Sequence, residues 1–184
     1  MSAQHEQTRV RVAVLFGGPS EEHDVSCASA ASIVQHLDRS RFEVTPVRVT
    51  REGIWAIGKD DPSRTELDAA TLIEMTPHED LSLDRFHSLA AAVTMLKSMD
   101  VVFPSFHGRY GEDGTVQSFL EIVGIPYVGN GPASGAVGMD KEWTKTLLQA
   151  AGLTVAAGAV LSGDETELQP DRTAADRTAG LRQA

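Results

Sequence analysis

The residues Arg9 to Phe16, RVRVAVLF, form a short valine-rich run that stops at Gly17-Gly18-Pro19. This junction constrains the fold more than any other feature. Such a run reads as a buried strand stopping at a turn. After the turn, Cys27, Ala30, Ala31, Val34 and Leu37 recur at helical spacing and mark one face of an amphipathic helix. Strand, glycine turn and helix therefore follow in order.

The same order recurs further along. Val101-Val102-Phe103 is another buried strand, ending in the polar, glycine-bearing stretch His107 to Gly114. Val116, Phe119, Leu120 and Val123 then return to helical spacing, with Gly124 placed to supply the left-handed residue that closes a helix. Between the two, Phe42 to Val49 reads as a strand whose Pro46 lacks an amide donor, which predicts an edge or irregular position. Arg51-Glu52-Gly53 turns into Ile54 to Ile57 as a hairpin partner. Residues 59–83 are acidic, contain Pro62 and Pro77, and read as a loop-rich excursion, while Leu89 to Leu96 reads as a short helix. Ile125 to Val128 is the next expected strand. Asp140 then caps a helix carrying Thr144, Leu147, Leu148 and Ala151 on one face, with Gly152 at its end. Strands alternating with helices predict an α/β fold with a mainly parallel sheet, whose ligand site lies at the carboxyl ends of the strands. Both glycine loops then share one rim.

Length and charge narrow the function. The 184 residues amount to roughly 1.2 domains at ~150 residues each, one full domain and part of another. Asp and Glu number 26 against 16 Lys and Arg, a net charge of −10 that disfavours a phosphate-backbone binder, so no nucleic-acid partner is expected. The lone Cys27 can form neither an internal disulfide nor a thiolate metal cluster, and no metal site is expected. The N-terminus lacks an apolar signal core and no run approaches a membrane span, so the chain reads as cytoplasmic with no membrane partner.

Three motifs carry chemistry, each beside a plainer explanation. Gly17 to Ser26, GGPSEEHDVS, joins a tight turn to a helix start whose free amides favour an anion. Its carboxylates Glu21 and Glu22 either stabilise the first helical turn or meet a cationic group such as an amino acid's ammonium. His107 to Gly114, HGRYGEDG, is either a solvated glycine turn or a rim where His107 donates to a substrate carboxylate. Lys141 and Lys145 lie on one helix face, a solvated pair unless a nucleotide sits near the helix start. Gly53 to Lys59, GIWAIGK, has the glycine spacing of a phosphate loop, but Asp60 stands where a hydroxyl is needed and the intervening residues read as a strand.

Together these segments resemble the N-terminal part of the D-alanine–D-alanine ligases, the ATP-grasp enzymes that make the dipeptide for peptidoglycan. The resemblance runs from about Arg9 to Leu161 and rests on RVAVLFGGPSEEHDVS, FHGRYGEDGTVQSFLEIVGIPYVGNG and GMDKEWTKTLLQAAGL, in the family's order and spacing. It implies a Rossmann-like pre-ATP-grasp domain over residues 9–131, the first helix and strand of an ATP-grasp domain over 132–161, and a polar tail over 162–184. Residue by residue, it implies that Glu22 engages the ammonium of the first D-alanine and belongs to the catalytic network. His107 lies near that substrate's carboxylate, Val25 and Ser26 line the same corner, and Lys141 reaches ATP. In such enzymes ATP with Mg2+ phosphorylates one D-alanine and the amine of a second attacks the acylphosphate, so D-alanine and ATP are the implied ligands.

The sequence also departs from the family. Ser118 stands where relatives often carry glycine, and Thr154 and Ala157 where they often carry proline. The family's phosphate-gripping loop, its substrate-covering loop and its metal-binding acidic set have no counterpart, and RTAADRTAGLRQA replaces an expected strand and lysine. The expectation is a ligase by family whose chain is truncated and inactive alone. A non-catalytic D-alanine-binding or interaction module and a D-alanine–D-lactate ligase are the alternatives, and a homodimer through the N-terminal domain stays open.

Overall fold

The valine-rich run lies inside the sheet. In the computed structural model, which describes residues 8–64, 66–77 and 84–158, β1 (Val10–Gly17) pairs in parallel with β2 (Phe42–Val49) and with β4 (Val101–Pro104). β3 (Trp55–Ile57) runs antiparallel along β2, giving the order β3-β2-β1-β4. Because side chains alternate across a strand, β1 serves two cores. Val12, Val14 and Phe16 pack with Cys27, Ala30, Ala31 and Val34 of α1 (His23–His36) and with Leu72 of α2 (Ala69–Glu74). Ala13 and Leu15 face the other way, onto Leu96 of α3 (Arg85–Leu96) and onto Val116 and Leu120 of α4 (Thr115–Ile122). Burial on both faces explains why β1 reads as a nearly continuous apolar run. The mainly parallel α/β sheet is as expected.

Pro46 departs from expectation. β2 is interior to the sheet, yet the proline is tolerated because its carbonyl accepts from the Gly58 amide just past the end of β3. The peptide nitrogen on that same side has no proton to return, and the antiparallel ladder stops at Ile57. The Gly53 turn has φ 84° and leads directly into β3, so GIWAIGK is a hairpin strand and no phosphate loop. The excursion over residues 59–83 contains α2, which the reading by periodicity passed over; its signal is the N-cap Asp68, whose carboxylate accepts from the Thr71 amide at 2.8 Å. α3 starts earlier than expected because Asp84 caps it in the same way, through His87.

The strand expected at Ile125 to Val128 shrinks to a single parallel bridge between Tyr127 and Val102. Gly124, at φ 69°, closes α4, and Pro126 has no amide to donate, so only Val128 gives an N–H to this ladder. α5 (Pro132–Met139), which begins with proline in its first turn, was not expected; α6 (Lys141–Ala150) was. Asp140 accepts from the amides of Glu142 and Trp143 at 2.9 Å each, and Gly152 at φ 81° ends the helix. One compact unit extends to Thr144 and a second begins at Lys145. Residues 153–158 carry no regular element; the end of the expected strand at Leu161 and the tail 162–184 lie outside the described residues. Among the described residues, no helix is long and apolar enough to cross a membrane.

The amino end of the sheet is pinned by Arg11 and Asp100, whose side chains pair at 2.7 Å while the Arg11 amide also donates to Asp100. The guanidinium hydrogen bond, joined by that amide, holds the Asp100 pKa down at about 2 from its ordinary 3.8. A depressed carboxyl contributes stability above its unfolded pKa and loses it as pH falls through the folded one. Asp100→Asn is therefore expected to remove the part of the acid-unfolding curve that develops between pH 3.8 and about 2, measured by circular dichroism against the unsubstituted chain. An acid limb of unchanged shape would contradict it.

Candidate functional site

The two glycine loops meet because β1 and β4 are neighbours whose carboxyl ends lie side by side. Gly17 and Gly18 have φ of 86° and 89°, and a methyl at Gly17 would collide with the Val49 carbonyl, so the chain can leave β1 here only as glycine. The turn is then fastened at three points. The Gly18 amide donates to the Val49 carbonyl at 2.7 Å, and the Gly17 amide donates to the Ser26 hydroxyl at 2.8 Å. Nδ1 of the buried His23 lies 2.6 Å from the Gly18 carbonyl; a carbonyl only accepts, so Nδ1 carries the proton.

The Ser26 hydroxyl reaches both loops. It donates to the Ser105 carbonyl at 2.6 Å while accepting from Gly17, and the residue is fully buried. Both of its hydrogen-bonding functions are thus used within the protein. Ser26 stands beneath the expected substrate corner, and Val25 beside it is 52 % exposed.

His107 is held along backbone and side chain. Ser20 donates to its carbonyl at 2.9 Å, Ser29 lies 3.0 Å from its Nε2, and the next amide, Gly108, donates to the Glu112 carboxylate at 2.8 Å. Glu22 closes the corner. It occupies the N-cap position of α1 yet makes no side-chain capping bond. Its carboxylate lies directly against Gly108, where an added methyl would strike Oε2. Glu22 therefore acts on the first turn of α1 through its charge alone and leaves its carboxylate without a capping bond. Its carboxylate is exposed and stands beside the half-buried imidazole-bearing residue. An exposed carboxylate and an imidazole on one rim can take the two charged ends of a zwitterion.

The loop beyond His107 is tightly determined. Tyr110 has φ 73°, the one positive value of a non-glycine residue among those described. Its amide donates to Asp113 at 3.0 Å and its carbonyl accepts from Val116 at 3.1 Å. Burial pushes the Asp113 carboxyl up, but the amides of Tyr110 and Thr115 outweigh it and leave the pKa below the ordinary value. Gly114 and Gly135 allow α5 to lie against this loop, since a methyl at either would meet the backbone of the other segment.

The structure thus brings Glu22, Val25, Ser26 and His107 to one place, from elements 80 residues and more apart in part of the set. Lys141 is not tied to this group. It is the exposed first residue of α6 and, among the described residues, makes no hydrogen bond or ion pair with Glu22 or His107. Sequence reasoning missed Ser20 and Ser29 as partners of His107. Ser29 follows Ser26 by three residues, which marks it as lying on the same helix face, but nothing in its neighbourhood points to a histidine 78 positions away. Among the described residues, no group of three or more His, Cys, Asp or Glu is placed to hold a metal ion.

The family model for the D-ala D-ala ligase N-terminus matches residues 11–130. A D-alanine–D-alanine ligase from Corynebacterium diphtheriae is 44 % identical over 173 residues, which cover 90 % of this chain and 47 % of that protein. One from Rhodococcus opacus is 47 % identical over 163 residues, 83 % of this chain and 44 % of the relative. Among solved structures, the D-alanine-D-alanine ligase from Coxiella burnetii superposes with a TM-score of 0.63 at 29 % identity, covering 84 % of this chain and 46 % of that one. The VanG D-Ala:D-Ser ligase from Enterococcus faecalis superposes with a TM-score of 0.65 at 28 % identity, covering 87 % and 47 %. The chain spans about half the length of the curated relatives it matches.

Ser26→Ala should expose how far the rim depends on one hydroxyl. It leaves the Gly17 amide and the Ser105 carbonyl without their partner in a buried place, so a loss of about 1–3 kcal/mol is expected in urea unfolding. A change within about 0.5 kcal/mol, the ordinary range of a surface substitution, would show that the loops hold together without it.

Proposed function

The chain belongs to the D-ala D-ala ligase N-terminus family, and on that premise we propose that it carries the D-alanine side of a D-alanine–D-alanine ligase site. The observation that carries the reading is Glu22, an N-cap carboxylate that does not cap and instead stands exposed against Gly108, next to His107. A D-alanine zwitterion places its ammonium at Glu22 and its carboxylate toward the His107 imidazole, which Ser29 orients. Val25 offers an apolar surface to the methyl group, and Ser26 acts from below by fixing Gly17. Glu22 is then the residue in contact with the reacting amino acid, and Ser20, Ser26, Ser29 and Glu112 position what surrounds it.

In this reading residues 9–131 are the amino-acid-binding domain and residues 132–161 begin an ATP-grasp domain, with the Lys141 ammonium facing the nucleotide. ATP with Mg2+ supplies the phosphoryl group that activates a D-alanine carboxylate in such ligases. Among the described residues only Lys141 is offered to the nucleotide, and no group of three or more His, Cys, Asp or Glu is placed to hold Mg2+. The names of the solved neighbours support D-alanine as the ligand of this half. One is a D-alanine-D-alanine ligase and the other a D-Ala:D-Ser ligase, and D-alanine is the substrate common to both names.

Titration calorimetry of the chain with D-alanine tests this. Saturable heat with D-alanine and none with L-alanine is expected, and Glu22→Gln should weaken the affinity by about tenfold or more, since it removes a charge-assisted contact. Glu22 is exposed and uncapped, so the substituted chain should keep its melting temperature. Equal affinity in Glu22→Gln would overturn the reading, and heat with neither isomer would leave a pure interaction module as the better description.

A further inference from the structure

Behind the His107 loop, on the face of the sheet covered by α3 and α4, lies a cavity of about 330 Å3. Trp55, Phe106, Phe119 and Leu89 form much of its wall, and the Gly17-Gly18-Pro19 turn, Ser20 and His107 complete it. It shares His107 with the proposed amino-acid corner but not the Glu22 carboxylate. Glu22 does not line it, and neither does any other Asp or Glu, so an ammonium group would find no counter-charge there.

The mouth is differently made. Arg109 and Tyr110 stand there, with the guanidinium 5.1 Å from the centre of the tyrosine ring. Arg109 is exposed and forms no ion pair among the described residues, although acidic groups outnumber basic ones by 26 to 16 in the chain. Tyr110 is presented at the mouth by a left-handed backbone that a non-glycine residue adopts at a cost, and the Asp113 and Val116 hydrogen bonds hold it there. An aromatic-walled cavity free of acids, with one unpaired guanidinium at its entrance, matches a ligand with an apolar body and a single anionic end.

We propose that this cavity is a second ligand site, which takes an aromatic or bulky aliphatic monocarboxylate with its apolar part against Trp55 and Phe119 and its carboxylate on Arg109. The inference shares His107 and Ser20 with the D-alanine reading but uses neither Glu22 nor the ammonium chemistry. Trp55 and Phe119 already contact each other at 6.1 Å between ring centroids, tilted by 49°, so a planar ring has an aromatic surface to pack on. The opposite wall is the glycine turn and His107 itself, so occupancy is felt by the loop that carries the rim.

The chain's two tryptophans supply the readout, since Trp55 lines the cavity and Trp143 is 60 % exposed on α6. The full chain is labelled with 5-fluorotryptophan, its two fluorine resonances are assigned with Trp143→Phe, and it is titrated with naphthalene-2-carboxylate and with the neutral naphthalene-2-carboxamide. The expected result is a saturable shift of the Trp55 resonance with Trp143 unmoved, and binding about tenfold tighter for the carboxylate than for the amide, the size of one charge-assisted hydrogen bond. Arg109→Gln should abolish that preference and leave amide binding as it was. Three results would overturn the proposal: no saturation at Trp55, parallel shifts at both tryptophans, or equal affinity for carboxylate and amide in the unsubstituted chain. The last comparison needs no substitution, so it decides the matter even if Arg109→Gln disturbs the loop.

Discussion

One buried hydroxyl joins everything that the candidate site needs. The Ser26 oxygen accepts from Gly17 at the end of β1 and donates to Ser105 at the end of β4, from the first turns of α1. A parallel sheet brings its strand ends to one edge, but the loops that leave that edge are free to diverge unless something ties them. With both of its bonds made internally and no exposure to water, Ser26 is the buried tie, and Ser20 and Ser29 add links to His107 above it. Lost here, a hydrogen bond leaves two buried backbone groups unsatisfied, which costs more than the bond itself contributes. The rim that carries Glu22 and His107 rests on loops fastened beneath it.

Above this tie, the rim is held by backbone contacts more than by side-chain pairing. Ser20 holds the His107 carbonyl, Glu112 the Gly108 amide and Asp113 the Tyr110 amide. Each of these uses a polar side chain to fix a peptide group in a loop with no ladder of its own, and together they keep a tyrosine in a conformation that it would leave if unrestrained. Glu22 is the exception, a carboxylate left without a backbone partner at the N-cap. Fixed peptide groups around an uncommitted carboxylate suit a site for a small zwitterion, since little reorganisation remains when the ligand arrives.

Much of this was legible in the residues. The valine run and its glycine stop correctly placed β1 and the rim, and Cys27, Ala30, Ala31 and Val34 correctly marked the buried face of α1, because burial imposes a period that a single sequence displays. Pro46 misled, since its missing amide says only that one bond is absent and not which neighbour lacks it; the gap falls where β3 has already ended. α2 was missed because six residues are too few to show a period, and its capping aspartate was the better signal. In the site, Glu22 and His107 stand out by motif, but Ser20 and Ser29 do not, since a serine's partner is set by tertiary folding. The tail of the chain, from residue 159, lies outside the described residues and adds nothing to either side of this comparison.

The family likeness covers about half of each relative, and within that half the structure brings Glu22 and the His107 loop to one rim, while Lys141, the residue expected at the nucleotide, begins α6. The central claim is therefore that two loops, stitched by Ser26, form one D-alanine corner. Amide shifts in a 15N-labelled chain titrated with D-alanine test it most directly. The expected changes fall on Gly17 to Ser26 and on His107 to Gly114 together, with the same midpoint, and L-alanine leaves both unmoved. Shifts in one loop without the other, or the same pattern with L-alanine, would contradict it.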